Sequence, residues 1–283
     1  MAMVDTNIFF IQNKKNTNDE YFLVSGDLIE KEKRLLELND EFVLNIKENN
    51  SVIKKIDIVI STLDDFTEIW QGLIAYGKKN QPRSFSSENK ETEFHRKLLY
   101  GKNVSKYFIE WGGEYLKYGE WLHRPRPSYI FDNEKILVQR IRNPQLKQRL
   151  VCAFDDQKFI NGTGMSNILL KEHVKDLSLK YILAILNSKL INYWFSYYFN
   201  DVNIKPEQLR KIPIVKCSTS IQKIFENLIS EIDLLIVNKL EINETANQID
   251  LMVYKLYELS YAEVLVVDPA FGLSEEEYNS YVY

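Results

Sequence analysis

Two acidic doublets are the places where this sequence could gather a metal ion: Asp64 with Asp65, and Asp132 with Glu134, the latter followed by Lys135. Paired carboxylates hold divalent cations through oxygen, and a trailing lysine would complete a nuclease-like cluster. Both have a simpler reading. Asp64 and Asp65 follow Thr62 as a helix cap, and 132–134 is a turn. Asn143 and Pro144 match the first two letters of the Asn-Pro-Pro-aromatic loop that grips a flipped base. The stacking aromatic is missing, so the segment is read as a turn. Residues 162–165 (GTGM) also form a turn, outside any phosphate-loop context. No glycine-rich cofactor turn, Walker loop, nucleophile elbow or HExxH pattern occurs. Cys152 and Cys217 lack zinc spacing, and His95, His123 and His173 are scattered. No catalytic residue, metal ligand or cofactor site is assigned.

What the sequence does concentrate is positive charge. The chain carries 36 Lys and Arg against 40 Asp and Glu, a net charge of −4. That balance divides into −6 over residues 1–69, +8 over 70–150 and −6 over 151–283. A basic segment between acidic flanks suits a polyanion, whose bound counterions are released on contact. A solvated basic face, or docking on the acidic parts, would give the same count. At 45% hydrophobic and 27% charged the chain can build a core and is not expected to be disordered. It opens with no secretory signal, and no apolar run is long enough to span a bilayer, so a cytoplasmic protein is expected.

The elements that would position these residues follow from hydrophobic spacing. Residues 4–11 and 21–24 read as a strand pair, and residues 29–38 as charged and helix-prone. Residues 51–58 give a short helix or turn. Thr62 caps a single apolar turn that opens into a loop, and residues 78–100 are loop-rich. Residues 135–140 and 150–154 are strands flanking a basic turn, and 158–161 and 166–170 extend an antiparallel sheet. Helices are expected over 179–199, 220–242 and 249–259. The apolar stripe of the last two is too wide for a heptad seam, which indicates a bundle or antiparallel pair.

Four stretches together resemble the TaqI-like C-terminal specificity domain of type IIG restriction-modification enzymes and related adenine methyltransferases. They are LDDFTEIWQGLIAYG (63–77), KLLYGKNVSKY (97–107), KILVQR with FINGT (135–140, 159–163), and YILAILNSKLINYWF followed by LRKIPI (181–195, 209–214). The last is the most specific, and its asparagine-serine-lysine helix also recurs in type I specificity subunits. IDLMVYKLYELS (249–260) resembles the helix that closes such proteins, and VDTNIFFI (4–11) resembles the end of a preceding methyltransferase domain.

The resemblance implies an α+β fold, an antiparallel or mixed β-sheet recognition domain with packed helices, followed by a C-terminal helical pair. It implies a methyltransferase remnant and connector over 1–57, target recognition over 58–216, a helical spacer or dimerisation region over 217–260, and a tail over 261–283. The chain would be a piece of a longer enzyme whose missing catalytic domains use S-adenosylmethionine and Mg2+. Its partners would be double-stranded DNA, that methyltransferase/endonuclease part, and a second copy or subunit on helices 220–259. The residues expected to face DNA are Lys78, Lys79, Arg83, Lys102, Lys106, Arg124, Arg126, Arg140, Arg142, Asn143, Gln145, Lys147 and Arg149. Arginine forks read guanine and amides read adenine, while lysines contact phosphate. Arg83, Arg124, Arg126 and Arg142 are the expected base readers, with Asn143 and Gln145 behind them, and Lys106 is a phosphate contact. Trp111 and Trp121 are read as packed. Two other readings stay open: a protein-interaction scaffold working through its helical end, and a nuclease using Asp132 and Glu134.

Overall fold

The computed structural model describes residues 50–283 and, nearer the N-terminus, the backbone of two strands. The chain divides into units 1–50 and 51–283. In the first, β1 (Tyr21–Ser25) pairs antiparallel with β2 (Ile29–Arg34). The expected helix is therefore replaced over 29–34 by a strand, as pairing outweighs the modest helix preference of Glu, Lys and Arg. The strand expected at 4–11 lies outside the described residues.

The second unit begins with α1 (Ser51–Asp57) and α2 (Leu63–Phe66). Next come β3 (Thr67–Gln71), β4 (Ile74–Gly77), β5 (Ser86–Ser87), β6 (His95–Leu99), β7 (Val104–Ser105), β8 (Phe108–Ile109), β9 (Tyr115–Lys117) and β10 (Leu122–Arg124). After the single turn α3 (Tyr129–Asp132) follow β11 (Lys135–Gln139), β12 (Cys152–Asp155), β13 (Ile160–Asn161) and β14 (Met165–Leu170). The rest is helical: α4 (Leu179–Asn187), α5 (Lys189–Tyr198), α6 (Pro206–Arg210), α7 (Thr219–Val237), α8 (Asn243–Leu256), α9 (Tyr261–Val267) and α10 (Glu275–Ser280). The α+β class is as expected.

The main sheet runs β12-β11-β14-β3, antiparallel throughout. A second sheet runs β13-β6-β9-β5, and β4 forms a ribbon with β10. The main sheet is buried on both faces, and alternation along β11 shows how. Ile136 and Val138 join the helices in the largest core, whereas Leu137 packs with Leu99, Phe159 and Met165 on the opposite side. Helices, main sheet and second sheet therefore stack as layers.

Three expectations change. Thr67–Gln71 is a strand rather than a loop, because its buried Thr67 and Ile69 line up with Leu170 and Ile168 of β14. Residues 160–161 do not extend the main sheet; they pair in parallel with Leu98 and Leu99 of β6. The helix expected over 179–199 breaks at Ser188, which is extended and caps α5 through its side chain.

That break organises the unit. Asn187 is fully buried; its Oδ1 accepts from Cys152 N at 3.0 Å and its Nδ2 donates to Cys152 O at 2.9 Å. The amide thus pairs with the outer edge of β12 as another strand would. Asn192 Oδ1 accepts from Leu150 N at 2.6 Å, while its Nδ2 donates to Leu186 O and Ser188 O. Lys189 ties the same corner outward: its N donates to Asp250 Oδ1 and its Nζ to Asp268 Oδ2, both at 2.7 Å.

The helices beyond residue 216 pack into the core of this unit. Phe225, Leu228, Ile229 and Ile232 of α7 and Ile249, Met252 and Val253 of α8 lie in the same core as α4 and the main sheet. Residues 261–283 contain two helices and bury Val264 and Tyr278. Removing everything after Cys217 would open that core. Among the described residues no helix is long and apolar enough to cross a membrane.

Asn187→Ala leaves the buried N–H and C=O of Cys152 without this partner. It is expected to lower unfolding free energy by about 3 kcal/mol in denaturant titration, since each unsatisfied buried group costs about 1–3 kcal/mol.

Candidate nucleic-acid interface

The β4–β10 ribbon is rooted where both sheets meet. Asn161 and Asn167 are fully buried and bond reciprocally, Asn161 Nδ2 to Asn167 Oδ1 at 2.6 Å and Asn167 Nδ2 to Asn161 Oδ1 at 3.1 Å. Gly72 sits on this pair. A side chain there would meet Gly162 O at 2.2 Å and Asn161 Oδ1 at 2.3 Å, so only glycine fits. Gly72 N donates to Met165 O and Leu73 N to Asn161 O, which fixes the chain as it leaves β3. Leu73 and Leu122 are buried beneath the ribbon with Leu98, Leu116 and Phe131.

Above that root the cations gather. Arg124 lies opposite Ile74 across the ribbon, and Tyr76 stacks on His123 with ring centroids 5.3 Å apart. Lys78 N donates to Trp121 O as the ribbon ends, and residues 78–83 remain exposed. Gly77 keeps this turn close, since a Cβ there would meet Pro82 O at 2.3 Å. Lys78, Lys79, Arg83 and Arg124 are thus exposed near one ribbon, and none takes part in the ion pairs found among the described residues. Arg126 is half-buried; burial and neighbouring Arg124 hold its guanidinium below the ordinary arginine value.

The other expected contacts divide. Asn143, Gln145 and Lys147 are exposed on the turn between β11 and β12, where Asn143 Oδ1 accepts from Gln145 N at 2.9 Å. The turn reading of residues 143–146 is thereby met. Lys102 is exposed on a short helical turn whose Gly101 O accepts from Gln139 Nε2. Arg142 is half-buried and directs Nη1 to Gln139 Oε1 at 3.1 Å and Nη2 to Gln148 O at 2.8 Å. Its fork is occupied within the loop, which makes it a brace rather than a presented reader.

Arg140 and Arg149 are buried rather than presented, and Lys106 is half-buried. Arg149 is fully buried and donates to Phe199 O at 2.9 Å and Asp201 O at 2.6 Å, beneath Phe195. Arg140 is buried and donates to Ile204 O at 3.0 Å and Thr163 O at 2.7 Å. Each guanidinium ties the turn's base to residues 199–204, a use of planar donors that sequence cannot separate from a DNA contact. Lys106 is half-buried, with its Nζ over the Tyr107 ring. Burial holds its pKa below the lysine norm, with Asp250 opposing.

The candidate acids are engaged elsewhere. Asp132 pairs with Arg96 at 2.8 Å, and Lys135 is a buried partner of Asp155 rather than part of an acidic site. Asp65 Oδ2 accepts from Thr62 N at 2.6 Å, the expected cap. Among the described residues no three His, Cys, Asp or Glu side chains gather as a metal site. Trp111 and Trp121 are packed, their indole N–H groups donating to Glu114 O and Lys117 O. Sequence reasoning missed the Gly72 platform, the Tyr76–His123 stack and two exposed apolar residues, Ile141 and Val202, set close together by a bridge between Ile141 and Asn203. A lone glycine amid strand residues was the one signal available for the first.

Residues 96–214, which hold this turn, β10 and the Asn187 corner, match the TaqI-like C-terminal specificity domain. Over these residues the chain is similar to that specificity domain. TaqI-like domains are related to the target-recognition parts of restriction-modification systems. No curated protein sequence matches the chain. Among solved structures, a type IIL restriction-modification enzyme, MmeI in complex with DNA, aligns at a TM-score of 0.53 with 10% identity, over 93% of this chain and 42% of that one. This likeness is one of fold. The HsdS subunit from Thermoanaerobacter tengcongensis aligns at 0.37 with 13% identity, over 73% of this chain and 49% of its own. A type I restriction-modification system structure aligns at 0.40 with 13% identity, over 75% and 45%. The chain spans less than half the length of each. The match is narrower than the 63–260 over which the resembling motifs are spread, and Lys78, Lys79 and Arg83 precede it.

Arg149→Ala removes two carbonyl partners and leaves space beneath Phe195. A loss of about 2–4 kcal/mol is expected in denaturant unfolding. Gly72→Ala should also destabilise, and hydrogen exchange should rise at β4 and β10 before the helices, because the collision lies at the ribbon's root.

Proposed function

We propose that this chain reads sequence in double-stranded DNA as the recognition part of a restriction-modification enzyme. The observation that carries the reading is the group of exposed cations without ion pairs, Lys78, Lys79, Arg83 and Arg124, on a ribbon rooted in the specificity domain. Cations left free in this way neutralise phosphates and release counterions. Lys102, Asn143, Gln145 and Lys147 add a second polar edge on the β11–β12 side. The parent enzyme would be type IIG, an adenine-N6 methyltransferase joined to an endonuclease. Its S-adenosylmethionine and Mg2+ would be held by the catalytic part of that enzyme.

The C-terminal part of α7 supports an attachment to that catalytic part. Leu234 and Val237 at its end and Leu240 beyond it stay exposed, whereas Phe225 to Ile232 are used internally. Exposed apolar residues at a helix end suit a partner surface.

Binding of the full chain to duplex DNA, followed by fluorescence anisotropy across a salt series, tests the proposal. Combined Lys78→Ala, Lys79→Ala and Lys102→Ala is expected to lower the logarithmic salt slope by about three, one for each phosphate contact. Arg149→Ala is expected to leave the slope unchanged in the folded protein. Duplex affinity indifferent to salt would refute the role.

A further inference from the structure

Arg126 has an unusual backbone. It lies between Pro125 and Pro127 with φ of +64°, the left-handed region that a long side chain enters only at a cost. Lys158 shares that region in the turn between β12 and β13, whereas Lys239 and Glu258 sit just past helix ends, where the conformation is routine. Arg126 closes no helix. Its conformation is held from outside: Tyr118 OH donates to Arg126 O at 2.6 Å, and the prolines restrict the chain on either side.

The side chain is fixed as well. Arg126 Nε makes a long contact of 3.5 Å to Gly72 O, the residue locked over the Asn161–Asn167 pair. Among the described residues its Nη1 and Nη2 make no hydrogen bond. No carboxylate pairs with it among the described residues, and the charge acting on it is the like charge of Arg124. A half-buried cation beside another cation, with one long carbonyl contact, is left without an anionic partner among the described residues.

We propose that Arg126 is the specificity-determining residue of the ribbon, reading the guanine edge of a base pair, while exposed Arg124 takes the adjoining phosphate. This inference rests on the DNA-recognition role proposed above. Two parallel N–H groups match the paired acceptors O6 and N7 of guanine. Adenine offers one acceptor and one donor on that edge, and thymine a single acceptor beside a methyl group. Phosphate would also accept the fork, but a phosphate contact tolerates displacement and needs no fixed backbone. Bidentate reading of a base edge requires the donor placed to within about half an ångström. Strain held in place by Tyr118, Gly72 and two prolines supplies that placement.

The test is selection of bound duplexes from a random-sequence DNA pool by the full chain at fixed salt, followed by sequencing. The parent is expected to enrich a motif containing guanine. Arg126→Ala and Arg126→Lys should each lose preference at one guanine position by roughly ten- to a hundredfold, leaving the other positions intact. Arg124→Ala should keep the motif and lower the salt slope by about one. Arg126→Gly relieves the φ cost, so it should melt no lower than the parent while losing the same guanine preference. Should Arg126→Ala fail to fold, Arg126→Lys, which keeps charge and length, decides. Retention of every motif position by the Arg126 variants overturns the assignment, as does loss at a position other than guanine. A parent chain that binds duplexes with a steep salt slope yet enriches no motif also overturns it, leaving general DNA binding in place. A parent chain that binds no duplex removes the functional reading itself.

Discussion

The second unit depends on one buried amide. Asn187 completes the outer edge of β12 from the end of a helix, and the next two residues extend that junction. Ser188 caps the following helix and Lys189 reaches Asp250 and Asp268 on the far helices. Sheet, central helices and C-terminal helices thus meet within three consecutive residues. A leucine at 187 would suit the surrounding core equally well by hydrophobicity but would leave backbone groups of Cys152 unanswered. The asparagine-serine-lysine sequence is therefore a structural joint, and its place in the specificity-domain pattern has a physical reason independent of DNA.

Around that joint, positive charge divides into two classes. Lys135, Arg140 and Arg149 are buried, facing Asp155 or backbone carbonyls, and hold loops against layers. Lys78, Lys79, Arg83 and Arg124 are exposed, with no carboxylate paired to them among the described residues. The +8 of the middle segment is thus not a single surface, and five of the thirteen expected contacts are carried by the ribbon and its flanks. Burial, rather than residue type, separates the classes. A guanidinium satisfied by carbonyls adds rigidity, whereas one left beside its own kind is poised for an external acceptor.

Much of the helical region was legible because apolar spacing is a direct readout of a buried face: Phe225, Leu228, Ile229 and Ile232 lie inward as their period requires. The β11–β12 hairpin was equally plain, with a polar turn between two apolar runs. Thr67–Gln71 was not, since TEIWQ gains its strand character only from β14 beside it. The parallel pairing of β13 with β6 joins residues some sixty positions apart, and no local pattern encodes such a partner. For the interface, charge counting located the segment but could not assign Arg149 to the interior, because its partners are main-chain oxygens contributed by residues 199 and 201.

The ribbon's design separates what must stay from what is free to drift. Its base admits no side chain at Gly72 and closes on two asparagines, while residues 78–83 touch solvent. Substitutions at the tip cost the core little, so lineages can try new side chains there without first acquiring compensating stability. Variety in what the tip presents is thereby uncoupled from survival of the fold.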